Sequence, residues 1–202
     1  MISLCGAVWY VMIEKRGWQS VERTVYILLS RSGTCFSRLI HLATEDDYTH
    51  ASIGLEGPGG HFYSFARKDP RRMLPAGLIR ERAGRGFFSL HPKTPCCLYE
   101  LTVTEESYLL MRERLELMYA RRDDYHYSVL GALACFFRLP WVRKRYYFCS
   151  QFVAETLVES GAAQLDRAPA VTRPVDLQGL GRLRKIHQGV IGDLVGAKAW
   201  VA

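Results

Sequence analysis

The chain has 202 residues, of which 49% are hydrophobic and 23% charged, which excludes a disordered or fibrous protein and fits one domain whose core needs neither disulfides nor a metal. Its 27 basic and 20 acidic residues leave a net charge of +7, an excess that favours anionic contacts such as a lipid headgroup or a cell-wall polymer, while nothing matches a nucleic-acid module. Cys5, Cys35, Cys96, Cys97, Cys135 and Cys149 show no C-x-x-C spacing, so no zinc site, disulfide framework or other cofactor is expected, and a reduced, cytoplasmic chain is the expectation.

Residues 2–13 (ISLCGAVWYVMI) are apolar, but the run is too short to span a bilayer and no basic residue leads it as in a secretory signal. Residues 1–22 therefore read as an N-terminal extension that offers a contact to a membrane or partner, 23–195 as one domain and 196–202 as a tail. Val25 to Leu29 is an apolar, β-branched run that predicts a buried strand, broken by Arg31-Ser32-Gly33. Thr34 can cap a helix through Leu42. From His50 to Glu56 the pattern has period two: Ala51, Ile53 and Leu55 lie on one face, His50, Ser52 and Gly54 on the other. The turn Gly57-Pro58-Gly59-Gly60 predicts a hairpin returning over His61 to Arg67. Residues 68–95, rich in proline and arginine, predict a long irregular excursion.

Leu98 to Val103 predicts another strand, and Thr104-Glu105-Glu106 the capped, acidic start of a helix to about Ala120. Tyr125 to Phe137 predicts a second, very apolar helix. A third begins near Cys149 and stops at Gly161, with Phe152, Val153, Leu157 and Val158 as its apolar stripe. A last strand is expected within 183–195. Strands followed by helices argue for an α+β fold.

Cys149 stands at the first turn of the third helix, where unpaired backbone N–H groups and the helix dipole favour the thiolate, the reactive form. Cys35, also at an expected helix start, is its internal control. His50 begins a strand that the core holds rigidly, with the small Ser52 and Gly54 leaving room beside the imidazole. A thiol nucleophile needs such a base within hydrogen-bond distance and a third group to orient it. Glu81 reads as a surface ion-pair partner within the arginine-rich excursion, His61 as an exposed turn residue, and Tyr125 and Tyr127 as packing. Asp46 and Asp47 read as a solvated loop ahead of His50.

The segments Tyr48-Thr49-His50-Ala51-Ser52-Ile53-Gly54-Leu55 and Phe148-Cys149-Ser150-Gln151-Phe152-Val153-Ala154 resemble the histidine and cysteine motifs of the permuted NlpC-type superfamily. That superfamily comprises papain-fold proteins such as the YiiX- and YaeF-like proteins, with the lecithin:retinol acyltransferases as relatives. Tyr63 to Arg67 and Tyr125 to Gly131 extend the resemblance, which covers roughly residues 23–190, and histidine before cysteine is the permuted order. It implies a circularly permuted papain-like fold, an antiparallel sheet packed against helices. It also implies a Cys149 nucleophile with His50 as base, acting as hydrolase or acyltransferase on an amide or ester of a peptide, cell-wall peptide or lipid.

The position that matches the third residue is Ser64, where relatives carry Glu or His. If Glu56 pairs with His61, Ser64 faces away from His50; if Glu56 pairs with Phe62, the two share a face. A serine in place of a carboxylate keeps open a second reading, a non-catalytic binding module with this fold.

Overall fold

A computed structural model describes residues 21–31, 46–72 and 74–196. The N-terminal apolar run and the expected Thr34–Leu42 helix lie outside the described residues. The architecture is α+β. Its centre is a six-stranded antiparallel sheet built from β1 (Glu22–Ser30), β2 (His50–Gly54), β3 (Phe62–Arg67), β4 (Ala76–Glu81), β5 (Pro95–Thr104) and β8 (Leu183–Val190), in the order β4-β3-β2-β1-β5-β8. Two short strands, β6 (His126–Tyr127) and β7 (Tyr146–Tyr147), pair in parallel beside it. The helices are α1 (Gly86–Leu90), α2 (Glu105–Ala120), α3 (Val129–Phe136) and α4 (Cys149–Glu159).

Strand periodicity sorts the core into two layers. Val25, Ile27, Leu29, Ala51, Ile53 and Phe65 face Met111 and Leu115 of α2 and Phe152, Val153 and Leu157 of α4. On the opposite face Leu28, Phe62, Cys96 and Leu98 pack with Phe88 of α1 and with Ile191 and Leu194. A fully buried aliphatic or aromatic side chain contributes about 1.5–3 kcal/mol, so the larger cluster fixes α4 against the sheet. Arg114 of α2 adds polar braces, with Nη2 donating to Glu155 at 2.9 Å and Nη1 to Glu159. Thr104 caps α2 as expected, its hydroxyl accepting from Ser107 N–H at 3.2 Å. Gly161 ends α4 in the left-handed region at φ +68°.

Three sequence expectations need correction. The hairpin register is neither of the two considered: Ile53 pairs with Tyr63 and Gly54 with Phe62. Its connection is longer than a tight turn, because the Glu56 carboxylate accepts the His61 N–H at 3.3 Å in place of a ladder partner. The excursion 68–95 is not irregular throughout; it holds β4, the sheet's edge strand, and α1. β4 escaped notice because Leu78 and Ile79 are the only large apolar residues in Ala76–Glu81 and are adjacent, so no period-two pattern shows. The apolar helix begins at Val129, not Tyr125, because Ser128 caps it by accepting Gly131 N–H at 3.1 Å and Tyr127 is held in β6.

Candidate active site

Cys149 is the first residue of α4 and is buried. It lies at the N-terminal end of a helix whose apolar stripe packs under β2 and β3, and its thiol meets the start of β2. His50 opens that strand opposite Ser30 of β1. β2 and β3 pair at Ile53–Tyr63 and Gly54–Phe62, and towards His50 the opening beside β2 joins a cavity of about 940 Å³. Cys149, His50, Ser30, Glu81, Phe65 and Tyr127 all line it.

Glu81, the last residue of β4, reaches across this opening. Its Oε1 lies 2.8 Å from His50 Nε2, with the two side chains 9% and 15% exposed. Nε2 is thereby occupied, which leaves Nδ1 for the thiol with which the ring also hydrogen-bonds. Burial alone would depress the His50 pKa; the Glu81 charge and hydrogen bonds from the ring to Cys149 and Glu81 overcome it and push it up to about 10. Burial would raise the Cys149 pKa; the hydrogen bond to His50, the imidazolium charge, and the backbone N–H groups of Ala51 and Ser150 overcome that and hold it below the ordinary thiol value. The two shifts are one effect seen from both partners: the contact favours thiolate on Cys149 and imidazolium on His50, with a carboxylate behind the ring.

Ser64 does not orient His50. Extending the observed register places it opposite Ser52, on the His50 face, but its buried hydroxyl donates to the Ala51 carbonyl at 2.7 Å. Ala51 is thus fixed at both ends of its backbone, with N–H toward the Cys149 sulfur and C=O held by Ser64. Sequence reasoning missed Glu81 because β4 lacked a strand pattern and its arginine neighbours suggested a surface pair. The residual signal was parity: Glu81 pairs with Phe62, which shares the face of Ser52.

Tyr127 lines the cavity beside Cys149, and burial together with the Cys149 charge pushes its phenol pKa up, so it stays a hydrogen-bond donor. Its segment lies close over the edge strand, since a Cβ on Gly77 would stand 2.8 Å from the Tyr125 carbonyl oxygen. The buried Ser30 hydroxyl, next to His50 in the ladder, has no hydrogen-bond partner among the described residues.

The outer wall is basic. Arg67 stacks 4.4 Å above the Phe87 ring, and Arg82 and Arg85 line the same cavity, joined by a turn in which Arg85 N–H donates to the Arg82 carbonyl at 3.1 Å. Arg82 Nε donates to the Gly59 carbonyl at 2.8 Å. The acidic lining residues are Glu81 and Asp123. Glu81 serves His50 and Asp123 accepts Lys68 Nζ at 2.9 Å. No carboxylate among the described residues pairs with Arg67, Arg82 or Arg85, and burial alone lowers the Arg67 pKa.

Comparisons with protein-family models, with curated proteins and with solved structures gave no match. Among the described residues Cys96, Cys97, Cys135 and Cys149 are free and buried, and no group of three or more His, Cys, Asp or Glu is placed to hold a metal ion. The Cys149 pKa is lowered, whereas burial pushes Cys96 and Cys135 up to about 12. The comparison with Cys35 falls outside the described residues.

Proposed function

We propose that the protein is a thiol-dependent acyl hydrolase or acyltransferase of the permuted papain-like kind, using Cys149 as nucleophile, His50 as base and acid, and Glu81 as the group that orients the imidazole. The observation that carries this reading is the chain of contacts Glu81–His50–Cys149 at a helix start that opens on a cavity. Three groups from three separate elements meet where a nucleophile, its base and an orienting acceptor are required. No helix among the described residues is long and apolar enough to cross a membrane.

In the reaction the thiolate attacks the carbonyl carbon of an ester or amide. The oxyanion that forms accepts hydrogen bonds from the Cys149 N–H at the start of α4 and from the Tyr127 hydroxyl. His50, protonated, passes its Nδ1 proton to the departing alcohol or amine as the C–O or C–N bond breaks, which leaves a thioester on Cys149. Water or an acceptor alcohol or amine then attacks that thioester, with neutral His50 taking its proton and keeping it as imidazolium while Cys149 leaves as thiolate, which restores the starting pair. Glu81 keeps Nε2–H engaged throughout, so that Nδ1 is the nitrogen that exchanges protons.

The arginine wall adds a statement about the substrate. Arg67 and Arg82 are partly buried and Arg85 is exposed, none of them has a carboxylate partner among the described residues, and a bound anionic group would supply the counter-charge. The substrate class is therefore an acyl compound that carries a phosphate or carboxylate away from its scissile bond, whether on a lipid or on a peptide. Glu81 also supplies the acceptor whose lack favoured a non-catalytic binding module.

The test is direct. The protein is incubated with p-nitrophenyl acyl esters, quenched in acid and mapped by mass spectrometry. An acyl mass on Cys149, absent from the other cysteines and from Cys149→Ala, supports the reading; release of nitrophenol without acylated Cys149 overturns it.

A further inference from the structure

α3 is apolar on every side, yet the fold buries only part of it. Gly131 and Cys135 face inward, whereas Leu130, Leu133 and Phe137, at helical spacing, face solvent, Leu130 and Phe137 by 62% and 67%. A helix apolar all round is ordinarily enclosed. The chain that follows continues the surface, with Leu139, Trp141 and Val142 exposed, Val142 by 73%. This is no loosely held loop. Arg138, in the left-handed region at φ +57°, turns its guanidinium inward to Asp176 at 2.5 and 3.0 Å and to the Val171 carbonyl at 2.8 Å. The side chains on either side of it are thereby directed outward on a fixed base.

Charge distinguishes the occupant. The apolar surface runs directly into Arg143, Lys144 and Arg145, all exposed. Arg143 stacks over the Tyr146 ring at 3.8 Å and Arg145 has one acid, Asp124, at 3.7 Å. Leucines and aromatics bordered by tryptophan and a basic run form the pattern of an element lying in the plane of an anionic membrane surface. A second copy of the chain would set two basic runs near one another, with Asp124 as the acid beside each. The surface is also continuous with the candidate site, because the half-exposed Val129 at the start of α3 lines the cavity that holds Cys149, as does the exposed Leu74.

We infer that α3 and residues 137–145 dock the protein on an anionic lipid bilayer, with the mouth of the cavity turned toward the membrane surface. This needs no chemistry at Cys149, so it can fail or hold whatever the fate of the acyl-transfer reading. The test is co-sedimentation of the full chain with vesicles of phosphatidylcholine alone or mixed with phosphatidylglycerol, together with quenching of tryptophan fluorescence by brominated lipid. Expected is binding to the anionic vesicles that weakens in high salt, and that Phe137→Glu with Trp141→Glu, or Arg143→Glu with Lys144→Glu, reduces by about tenfold or more. Trp141→Phe should remove most of the lipid-dependent quenching. All these side chains are exposed, and an unchanged urea midpoint verifies the fold of each variant. Absence of binding overturns the inference. So does binding that the variants leave intact, which assigns it to another surface such as residues 2–13. A lipid-free dimer that Phe137→Glu dissolves also overturns it, because the surface then belongs to a second copy.

Discussion

His50 Nε2 and Glu81 Oε1 lie 2.8 Å apart, although the two residues sit on strands separated by β3. β4 is paired with β3 along its whole length, which sets Glu81 opposite Phe62, and its side chain spans the intervening strand to meet the imidazole. Glu81→Gln retains the shape and removes the charge that does most to raise the His50 pKa. We expect turnover to fall by about 10²-fold, within the range for losing effective acid–base catalysis. Alkylation of Cys149 by iodoacetamide should shift to higher pH, with Glu81→Ala shifting it further. A Glu81→Gln protein whose alkylation profile matches the wild type would show that Glu81 does not tune the pair.

The pH dependence separates nucleophile from acid. Because the Cys149 pKa is lowered, thiolate persists below the ordinary thiol pKa and is lost only as pH falls through that depressed value. The His50 pKa is raised to about 10, so the imidazolium proton is lost on the alkaline side. Alkylation, which needs only thiolate, should rise once with pH and stay high. Turnover needs the imidazolium as well and should describe a bell whose alkaline limb lies near the His50 value. In His50→Ala burial remains while the hydrogen bond and the positive charge are gone, so Cys149 should alkylate only at higher pH. Low-pH alkylation that survives His50→Ala would place the activation elsewhere.

Ser64 and Glu81 make opposite predictions. The Ser64 hydroxyl satisfies the buried Ala51 carbonyl, and its loss leaves an acceptor unpaired, at a cost of about 1–3 kcal/mol. Ser64→Ala should lower the unfolding free energy measured in urea by that amount while changing the alkylation pH profile less than Glu81→Gln does. A stable Ser64→Ala protein with an altered alkylation profile would show that the serine acts on His50 after all.

How far the sequence discloses such a site depends on which regularity each residue obeys. β1 and α2 follow hydrophobic periodicity and capping rules, and both form where the pattern puts them, at Glu22–Ser30 and Glu105–Ala120. Cys149 and His50 are legible because each sits at an element start, and the fold brings them into hydrogen-bond contact across 99 positions. Glu81 obeys no local rule. Its strand is short, glycine-containing and flanked by arginines, and its role arises from β3–β4 pairing and from the opening between β2 and β3. The hairpin register failed for a related reason: a side chain, Glu56, captures the His61 amide, a competition that period-two counting does not include. Orientation of the His50 ring is a long-range property, and the nearest candidate in sequence, Ser64, proved to serve the backbone.

The arginine wall yields the last prediction. Arg67, Arg82 and Arg85 are drawn from β3 and from the turn before α1, and the stack of Arg67 on Phe87 ties the two together. If the arginines hold an anionic group away from the scissile bond, as proposed, Arg67→Ala and Arg85→Ala should raise KM for acyl esters that carry a phosphate and leave kcat little changed. Uncharged esters of the same chain length should show no such change, and inorganic phosphate should compete with the phosphorylated substrate but not with the uncharged one. Removing one charge-assisted hydrogen bond costs about 1.5–3 kcal/mol, which corresponds to about a 10- to 150-fold rise in KM per arginine. Partial solvent exposure of the wall places the effect toward the lower end. Equal impairment on charged and uncharged esters would mean that the arginines shape the cavity without reading an anion, and the substrate class would then have to be sought from its apolar lining alone.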